Sequence, residues 1–288
     1  MIEVKQVSKS FGRARVLENL SLDIASQQRV ALVGANGAGK TTLIRSLLGQ
    51  YNYEGEIRID GLSPRKDRRE ILMRTGFVPQ LPPPLRLTVG QLIRFSAGLC
   101  GATPARMVEV AKRLGLDAEA LRNRSFAKLS GGQKQKLLIS VALGRDTNLL
   151  ILDEPAANLD PDARRTFFEL LAERSQQATV LISSHRLDEV AQLVQRVVEL
   201  DQGQVSLDDH VAESGDLDAV LRCQLELCRP EAGAARTLRE WGFVEQTGGL
   251  RFEGSVPGPD RLRFLGTLAR YSGLIRNLHL ESSERPDA

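Results

Sequence analysis

One glycine-rich segment constrains the fold of this chain more than any other part of its sequence. Residues 34–41 match the pattern G-x-x-x-x-G-K-[ST], in which backbone N–H groups surround a phosphate. An apolar run precedes the segment at residues 30–33, and a helix-like run follows it at residues 42–48. A helix that begins directly after such a loop directs unpaired N–H groups and the positive end of its dipole at the phosphate. The segment therefore predicts a strand, a phosphate-binding loop and a helix.

The residue types in this loop suit a nucleoside triphosphate. Phosphoryl transfer from ATP requires neutralised charge at the β- and γ-phosphates, a bound Mg²⁺ and a positioned water. We expect Lys40 to place its ammonium on the phosphates, Thr41 to offer its hydroxyl to Mg²⁺, and Thr42 to bond a phosphate oxygen. The glycines let the backbone approach the anion because they lack Cβ. The predicted ATP-binding residues of the loop are Gly34, Asn36, Gly37, Ala38, Gly39, Lys40, Thr41 and Thr42.

A second apolar run, at residues 149–152, ends in the adjacent carboxylates Asp153 and Glu154. Two acids in this place would also suit a plain turn at the end of a strand. Beside a phosphate loop, however, they suit ATP hydrolysis. We expect Asp153 to hold Mg²⁺ through its water shell and Glu154 to polarise the attacking water.

The composition allows one large domain or two smaller ones. The 288 residues are 42% hydrophobic, which is enough for a buried core. Lys plus Arg number 39 and Asp plus Glu 36, a balance that gives no argument for a nucleic-acid partner. Apolar runs are only a few residues long and the first residues suggest a strand, so we expect neither a spanning helix nor an export segment. The three cysteines form no even set and are expected as free thiols in a reducing cytosol.

The hydrophobic pattern changes along the chain. Up to about residue 60 it alternates as in half-buried strands. Residues 82–128 are predicted to be a helical insertion, with a capping box at Thr88 and a helix start at Thr103 and Pro104. Strands are then predicted at residues 149–152, 179–183 and 197–200, with helical stretches between them. Strands that alternate with helices indicate a mainly parallel sheet covered on both faces.

The last part of the chain has a different pattern. Polar and small residues near positions 212–217 suggest a linker. Beyond it the pattern predicts strand 221–228, helix 232–241, strands 243–248 and 250–254, helix 259–271 and strand 274–281. Gly248 and Gly249 suit a two-residue hairpin turn between the middle strands. The order βαββαβ is that of a ferredoxin-like unit, so residues 212–288 are predicted to form a small α+β accessory domain after a domain at 1–211.

A third motif brings the chain close to a known family. Residues 129–133 read Leu-Ser-Gly-Gly-Gln, and together with the phosphate loop they resemble the ATP-binding cassette (ABC) ATPases over roughly residues 1–210. The resemblance implies a P-loop NTPase fold with a RecA-like core, an antiparallel β subdomain and a helical subdomain. It also implies that this motif grips the γ-phosphate of ATP bound by a second subunit. The residues concerned are Ser130, Gly131, Gly132 and Gln133.

Other positions also match the family pattern. Phe11 resembles the aromatic residue that stacks on adenine, although it would also suit an ordinary strand. Gln80 resembles the glutamine that contacts Mg²⁺, and Asp160 lies in the loop that crosses between subunits. His185 resembles the switch histidine at the γ-phosphate. Asn158 departs from the glycine or alanine often found at its position. The resemblance thus implies that Glu154, His185 and Gln80 act in catalysis, with Thr41, Gln80 and Asp153 at the metal.

The resemblance implies an ATPase subunit of an ABC transporter, of exporter or metalloenzyme-maturation type. One phosphate loop and one Ser-Gly-Gly-Gln segment per chain imply that two copies, expected as a homodimer, complete the sites head to tail. A separate membrane permease is the expected partner, at the cytoplasmic face of the inner membrane, with ATP and Mg²⁺ as cofactors and no nucleic acid. The alternative is a soluble ABC ATPase switch that acts on ribosomes or DNA.

Overall fold

The computed structural model describes residues 1–175, 177–185, 190, 193–210, 220–257, 264, 267–268, 271 and 274–283. The chain divides into two compact units. The first comprises Met1–Arg186 and Leu193–His210, and the second comprises Leu187–Gln192 and Val211–Ala288. Among the described residues, no helix is long and apolar enough to cross a membrane.

The first unit combines nine described strands with six described α-helices and a short 3-10 helix, Phe126–Lys128. The strands are β1 (Ile2–Phe11), β2 (Ala14–Ile24), β3 (Arg29–Val33), β4 (Glu54–Ile59), β5 (Thr75–Val78), β6 (Leu149–Asp153), β7 (Thr179–Ser183), β8 (Arg196–Asp201) and β9 (Gln204–His210). The helices are α1 (Lys40–Leu47), α2 (Arg68–Arg74), α3 (Val89–Cys100), α4 (Pro104–Arg113), α5 (Gly131–Leu143) and α6 (Pro161–Ser175).

A six-stranded sheet forms the centre of this unit, in the order β5-β6-β7-β3-β8-β9. The first five strands are parallel, and β9 returns antiparallel to β8. Every residue of β6 and β7 is buried, as expected for central strands of a sheet covered on both faces. The predicted mainly parallel α/β core is confirmed, and β9 is an additional strand that the sequence analysis did not identify.

A second sheet, β2-β1-β4, is antiparallel throughout and forms the predicted β subdomain. Its buried side chains share one apolar core with α1 and the parallel strands. The alternation predicted up to about residue 60 is interrupted within β1, because the pairing register shifts between Val4 and Val7. Gln6, inside this irregularity, has a positive φ of 49°. The bulge keeps Val7 buried on the core side despite its odd spacing from Val4.

Helices α3 and α4 form a separate apolar cluster with Leu137 and Leu138 in the middle of α5. Thr88 caps α3 as predicted, since its hydroxyl accepts from the Gln91 N–H and the Gln91 side chain accepts from the Thr88 N–H. Helix α4 begins at Pro104 as predicted. Thr103 occupies the N-cap position before this proline, as predicted, although its hydroxyl makes no capping hydrogen bond.

The second unit contains β10 (Val220–Leu227), α7 (Ala232–Glu240), β11 (Val244–Thr247), β12 (Arg251–Pro257) and β13 (Ile275–Ser283). Its sheet order is β11-β12-β10-β13 with antiparallel pairs, which is the ferredoxin-like arrangement. Gly248 and Gly249 both have positive φ, but three residues separate β11 from β12, so the predicted two-residue turn is wrong. The predicted linker at 212–217 and most of the predicted helix 259–271 lie outside the described residues.

Candidate functional site

The glycine-rich loop joins β3 to α1 and follows a path that only glycine permits at its ends. Gly34, Gly37 and Gly39 have φ values of 142°, 87° and 107°. A Cβ at Gly34 would lie 2.3 Å from the Leu200 carbonyl oxygen, and one at Gly39 would lie 2.8 Å from Leu17 Cδ2. The loop backbone is therefore packed directly against the end of β8 and the start of β2.

A turn between β8 and β9 also supports this loop. The Gly203 N–H donates to the Ala38 carbonyl at 3.1 Å, and the Glu18 N–H donates to the Gly203 carbonyl at 3.0 Å. A Cβ at Gly203 would lie 2.3 Å from the Val16 carbonyl oxygen. The backbone N–H and carbonyl of Gly203 therefore link the loop to β2.

Lys40, the first residue of α1, is buried and folds back over the loop. Its Nζ donates to the carbonyl oxygens of Gly34 at 2.7 Å and Ala35 at 3.1 Å. The N-cap residue Gly39 has no side chain that could bond the first N–H groups of α1. These donors and the helix dipole are therefore available to an anion, with the Lys40 ammonium beside it.

The remaining predicted residues of the loop lie around this helix start. Asn36 and Gly37 are exposed, Ala38 is buried, and Thr41 and Thr42 in the first turn of α1 are half-buried. A loop with exposed backbone in front of a helix start fits the phosphates of a nucleotide.

Four parallel strands end at the same edge of the sheet, and polar residues of the predicted site lie at or just after their ends. Leu32 of β3 is in register with Ser183 of β7, and Ser183 is in register with Asp153 of β6. The loop follows β3, Glu154 follows β6, and His185 lies two residues after β7. Gln80, which is half-buried, lies two residues after the end of β5. The sheet register thus brings the predicted catalytic residues to the edge that carries the phosphate loop.

Ser183 connects the two carboxylate residues. Its hydroxyl donates to Asp153 Oδ1 at 2.6 Å and accepts from the Glu154 N–H at 3.0 Å. Asp153 and Ser183 are both buried. A buried carboxylate is costly unless a cation or several donors compensate its charge, so the position of Asp153 suits a metal ion. With Thr41 and Gln80 it would supply the hard oxygen ligands that Mg²⁺ prefers.

The Glu154 and His185 side chains are in contact. His185 Nδ1 lies 3.3 Å from Glu154 Oε2, with the glutamate mostly buried and the histidine half-exposed. Glu154 has a positive φ of 46°, an unfavourable conformation for a residue with a Cβ. A carboxylate held in this way beside an imidazole can orient a water or accept its proton.

Ser130 and its neighbours form a second exposed helix start, at α5. Ser130 caps α5 in a reciprocal capping box with Gln133, at 3.2 Å and 3.1 Å. Ser130 and Gly131 are exposed, and Gly132 is half-buried. Exposed first-turn N–H groups and a serine hydroxyl can bind a phosphate presented by another molecule.

Asp160, at the start of α6, is part of an ion pair with α5. Its Oδ2 lies 2.7 Å from Lys136 Nζ, and its Oδ1 accepts from the Ala163 N–H at 2.9 Å. The hydrogen bond from Lys136 is the main reason that the pKa of Asp160 is lowered. Asp160 therefore stays ionised at neutral pH while it caps α6.

Phe11 lies at the exposed end of β1, beside an aromatic residue that the sequence analysis did not identify. Its ring is 5.0 Å from the Tyr51 ring in an edge-to-face arrangement, and Lys9 Nζ is 4.7 Å from its centroid. Arg45 of α1 donates to the Tyr51 hydroxyl at 2.7 Å. The exposed ring of Phe11 can stack on a base.

Ser183 and Gln135 are two further residues that the sequence analysis missed. Ser183 belongs to the Ser-Ser-His segment, where a polar residue at the end of an apolar strand was the available signal. Gln135 is fully buried in α5, and its Nε2 donates to the Pro155 carbonyl at 2.9 Å. Its partner is 20 residues away in sequence, so no local pattern indicates this contact.

Comparison with known proteins places this site in a family. A family described as ABC transporter matches residues 17–157. The Nod factor export ATP-binding protein I of Paraburkholderia xenovorans (strain LB400) is 34% identical over 212 residues, covering 70% of this chain and 68% of that protein. The high-affinity zinc uptake system ATP-binding protein ZnuC of Bacillus subtilis (strain 168) is 32% identical over 217 residues, covering 71% and 92%.

A human relative is much longer than this chain. ATP-binding cassette sub-family A member 10 of Homo sapiens is 35% identical over 208 residues, which cover 70% of this chain but 14% of that protein. Among solved structures, the dimeric structure of MJ0796, a bacterial ABC transporter cassette, matches with a TM-score of 0.65 and 26% identity, covering 74% of this chain and 99% of that one. The chain therefore belongs to the ATP-binding cassette family, and it is the ATP-binding and ATP-hydrolysing part of an ABC transporter.

Proposed function

We propose that two copies of this chain close head to tail around two ATP molecules, each held by the phosphate loop of one copy and the Ser130 helix start of the other. The observation that carries this proposal is the exposed, capped start of α5, which is built like an anion site. The chain has one such motif and one phosphate loop, and the family uses them on different nucleotides. The dimeric form of the cassette MJ0796 supports the arrangement.

Within each composite site the residues have separate tasks. Lys40 and the N–H groups of α1 bind the β- and γ-phosphates, and Thr42 bonds a phosphate oxygen. Phe11 stacks on the adenine. Glu154 accepts the proton of the attacking water, and His185 lies against Glu154, where it can contact the γ-phosphate.

Thr41, Asp153 and Gln80 are proposed to hold Mg²⁺, which would neutralise charge on the β- and γ-phosphates. Ser183 fixes the carboxylate of Asp153 by its hydrogen bond at 2.6 Å. Gln80 is half-buried and lies in the sequence between the end of β5 and α3. A change at the metal site on hydrolysis can therefore be transmitted through Gln80 to α3.

Hydrolysis weakens the closed dimer in this mechanism. The γ-phosphate links Lys40 of one copy to Ser130 of the other, and its release removes that link. ATP therefore favours the closed form and ADP the open form, because the two nucleotides differ in their contacts across the interface. Asp160 and Asn158, both exposed, are placed on the loop that is proposed to cross the interface.

A mixture of two inactive variants tests the shared site. Lys40→Met removes the phosphate loop's charge, and Ser130→Arg blocks the start of α5, so each homodimer should be inactive. A mixed dimer has one intact site, formed by the phosphate loop of the Ser130→Arg copy and the α5 of the other. If the two sites act independently, equal amounts should recover about a quarter of the parent ATPase rate, since half of the dimers are mixed and each has one of two sites. Coupling between the two sites would lower the recovered rate below a quarter but leave it above that of either variant alone.

The control for this mixture is each variant alone at the same total concentration. ATPase activity is measured by phosphate release, and the mixture is incubated with ADP before ATP is added so that subunits can exchange. A mixture that stays as inactive as its components contradicts the head-to-tail arrangement.

We also propose a separate integral membrane permease as the partner, with the chain peripheral at the cytoplasmic face of the inner membrane. Exposed apolar side chains support a docking surface in the helical segment. They are Leu81, directly after Gln80, and Phe95 and Leu99, one turn apart on α3.

Export is the proposed direction of transport, since the second unit is a small ferredoxin-like domain. The relatives do not decide the direction, because a protein named for export and one named for uptake have similar sequence identity to this chain, 34% and 32%.

The second unit, proposed as residues 212–288 after an ATPase domain at 1–211, is expected to strengthen the dimer. Its apolar core consists of its own residues, so removing residues 215–288 should leave the core of the first unit intact. We expect the deletion to raise the ATP-dependent dimerisation Kd about tenfold, which corresponds to about 1.4 kcal/mol. Analytical ultracentrifugation with ATP measures this. Unchanged dimerisation and unchanged ATPase activity would eliminate a role in the dimer.

A further inference from the structure

The backbone of Glu154 needs support from its surroundings. Its φ of 46° is unfavourable for a residue with a Cβ, and such a conformation persists only where neighbouring contacts hold it. On its N-terminal side, the Glu154 N–H donates to Ser183 Oγ at 3.0 Å. This contact anchors Glu154 to the parallel sheet.

The support on the other side comes from Gln135 of α5. Gln135 is fully buried, and its Nε2 donates to the carbonyl oxygen of Pro155, the residue after Glu154, at 2.9 Å. Its Oε1 is buried without a hydrogen-bond partner among the described residues. The opposite amide orientation would place two oxygens against each other, so the donation to Pro155 sets the side chain's orientation.

Helix α5 contacts the same loop at two more points. Lys136 Nζ lies 2.7 Å from Asp160 Oδ2. A Cβ at Gly132 would lie 3.2 Å from the Asn158 carbonyl oxygen, so the first turn of α5 also packs closely on the loop. The helix that presents Ser130 at its start is therefore joined to the loop that carries Glu154.

We propose that Gln135 is a positioning residue through which α5 controls the orientation of Glu154. The inference rests on the proposed function, in which Ser130 contacts the γ-phosphate bound by the second copy. A small shift of α5 on that contact would move Pro155 through Gln135 and so move the backbone of Glu154. Each copy would then hold its own Glu154 more closely in the reactive orientation when its α5 is engaged by its partner's ATP.

The first test replaces Gln135 by methionine, which keeps a similar volume but cannot donate to Pro155. We expect kcat for ATP hydrolysis to fall about 10- to 100-fold, because misplacing a reacting group by about 1 Å has an effect of this size. The KM for ATP and the ATP affinity should stay within about twofold, since the phosphate loop is unchanged. A parental kcat would overturn the proposal.

Ser140→Ala is the matched control. Ser140 is also fully buried in α5, but its hydroxyl donates to the Lys136 carbonyl within the same helix. We expect its kcat to match that of the parent. If Ser140→Ala lowers kcat as much as Gln135→Met, or if Gln135→Met loses ATP affinity and thermal stability together with kcat, the role of Gln135 is structural and the proposal fails.

A third variant, Gln135→Glu, gives a readout that a packing role would not produce. A protonated glutamic acid can still donate to the Pro155 carbonyl, whereas the ionised form would face it with a negative charge. Burial disfavours the charged form and raises the carboxyl pKa. Relative to the parent at each pH, kcat of this variant should be highest at low pH and fall as pH rises through that pKa. A ratio that does not change between pH 6 and pH 9 would contradict the proposal.

Dimerisation separates this inference from the proposed function. Glu154→Gln and the double variant Glu154→Gln/Gln135→Met are compared by light scattering with ATP and Mg²⁺. Both should dimerise, because Gln135 acts on hydrolysis and the contacts of Ser130 remain. If Glu154→Gln itself stays monomeric, the proposed function fails. If Glu154→Gln dimerises and the double variant does not, Gln135 supports the interface and the positioning role is wrong.

Discussion

Glu154→Gln is expected to stop ATP hydrolysis while leaving ATP binding in place. The amide cannot accept the proton of the attacking water, and loss of a general base lowers rates by about 10²- to 10⁴-fold. The substitution preserves the shape of the side chain. It also leaves intact the backbone bond from the Glu154 N–H to Ser183 Oγ at 3.0 Å, so the carboxylate's neighbourhood should survive. Phosphate release gives the rate, and fluorescent ATP analogues give the affinity.

The same variant should accumulate as an ATP-bound dimer. ATP that is bound but not cleaved keeps its γ-phosphate between Lys40 and Ser130, so the closed form persists. Size-exclusion chromatography with light scattering should show a dimer with ATP and Mg²⁺ and a monomer with ADP. A variant that stays monomeric with ATP, even when its membrane partner is supplied, contradicts the closed-dimer mechanism.

Glu173→Gln is a suitable control for this substitution. Glu173 is an exposed residue of α6 that pairs with Arg113 at 2.7 Å, and this pair lowers its pKa. Its replacement changes the net charge by the same amount as Glu154→Gln. We expect a parental ATPase rate, because an exposed ion pair has little effect on stability and none on the site.

Lys40→Met is expected to abolish ATP binding at micromolar nucleotide. The Lys40 ammonium is buried beside the loop and would face the phosphates directly. Truncating one member of a buried charge pair costs about 2–5 kcal/mol, which corresponds to a roughly 30- to 5,000-fold loss of affinity. Isothermal titration calorimetry with ATP and Mg²⁺ measures the change.

The fold should tolerate Lys40→Met. Methionine can occupy the space of the lysine's alkyl chain, although the bonds to Gly34 and Ala35 are lost. The melting temperature without nucleotide should therefore change little, while the stabilisation by ATP disappears. Lys112→Met, at an exposed position of α4, is the control and should keep both. An ATP affinity for Lys40→Met within threefold of the parent would contradict the placement of phosphate at this loop.

Sequence patterns predicted those features that depend on neighbouring residues. The phosphate loop, the capping box at Thr88 and the alternation of strands with helices from β6 to β8 follow from local composition and spacing. The assignment of Glu154 to a strand end also follows from the adjacent apolar run. The site residues reach one edge because their strands are parallel and in register, so that part of the site was predictable once the topology was recognised.

Contacts between distant segments were not predictable in this way. The hydrogen bond from Gln135 to Pro155 depends on where α5 lies relative to the loop after β6, and the one from Ser183 to Asp153 depends on the pairing of β7 with β6. The spacing of residues along the sequence indicates neither contact. Tyr51 meets Phe11 for the same reason. The turn at Gly248 and Gly249 was mispredicted because the pairing register of β11 and β12 shifts between Glu245 and Thr247, which adds a residue to the turn.

The backbone contacts of Gly203 and Leu200 with the glycine-rich loop bear on how this protein acquires activity during synthesis. The loop is made early, yet the residues that brace it are translated about 160 positions later. A nascent chain that lacks the β8–β9 hairpin would therefore hold an unsupported loop with poor affinity for nucleotide. ATP binding should appear late in synthesis, and fragments that end before Gly203 should not bind ATP even though they contain every residue proposed to contact the nucleotide.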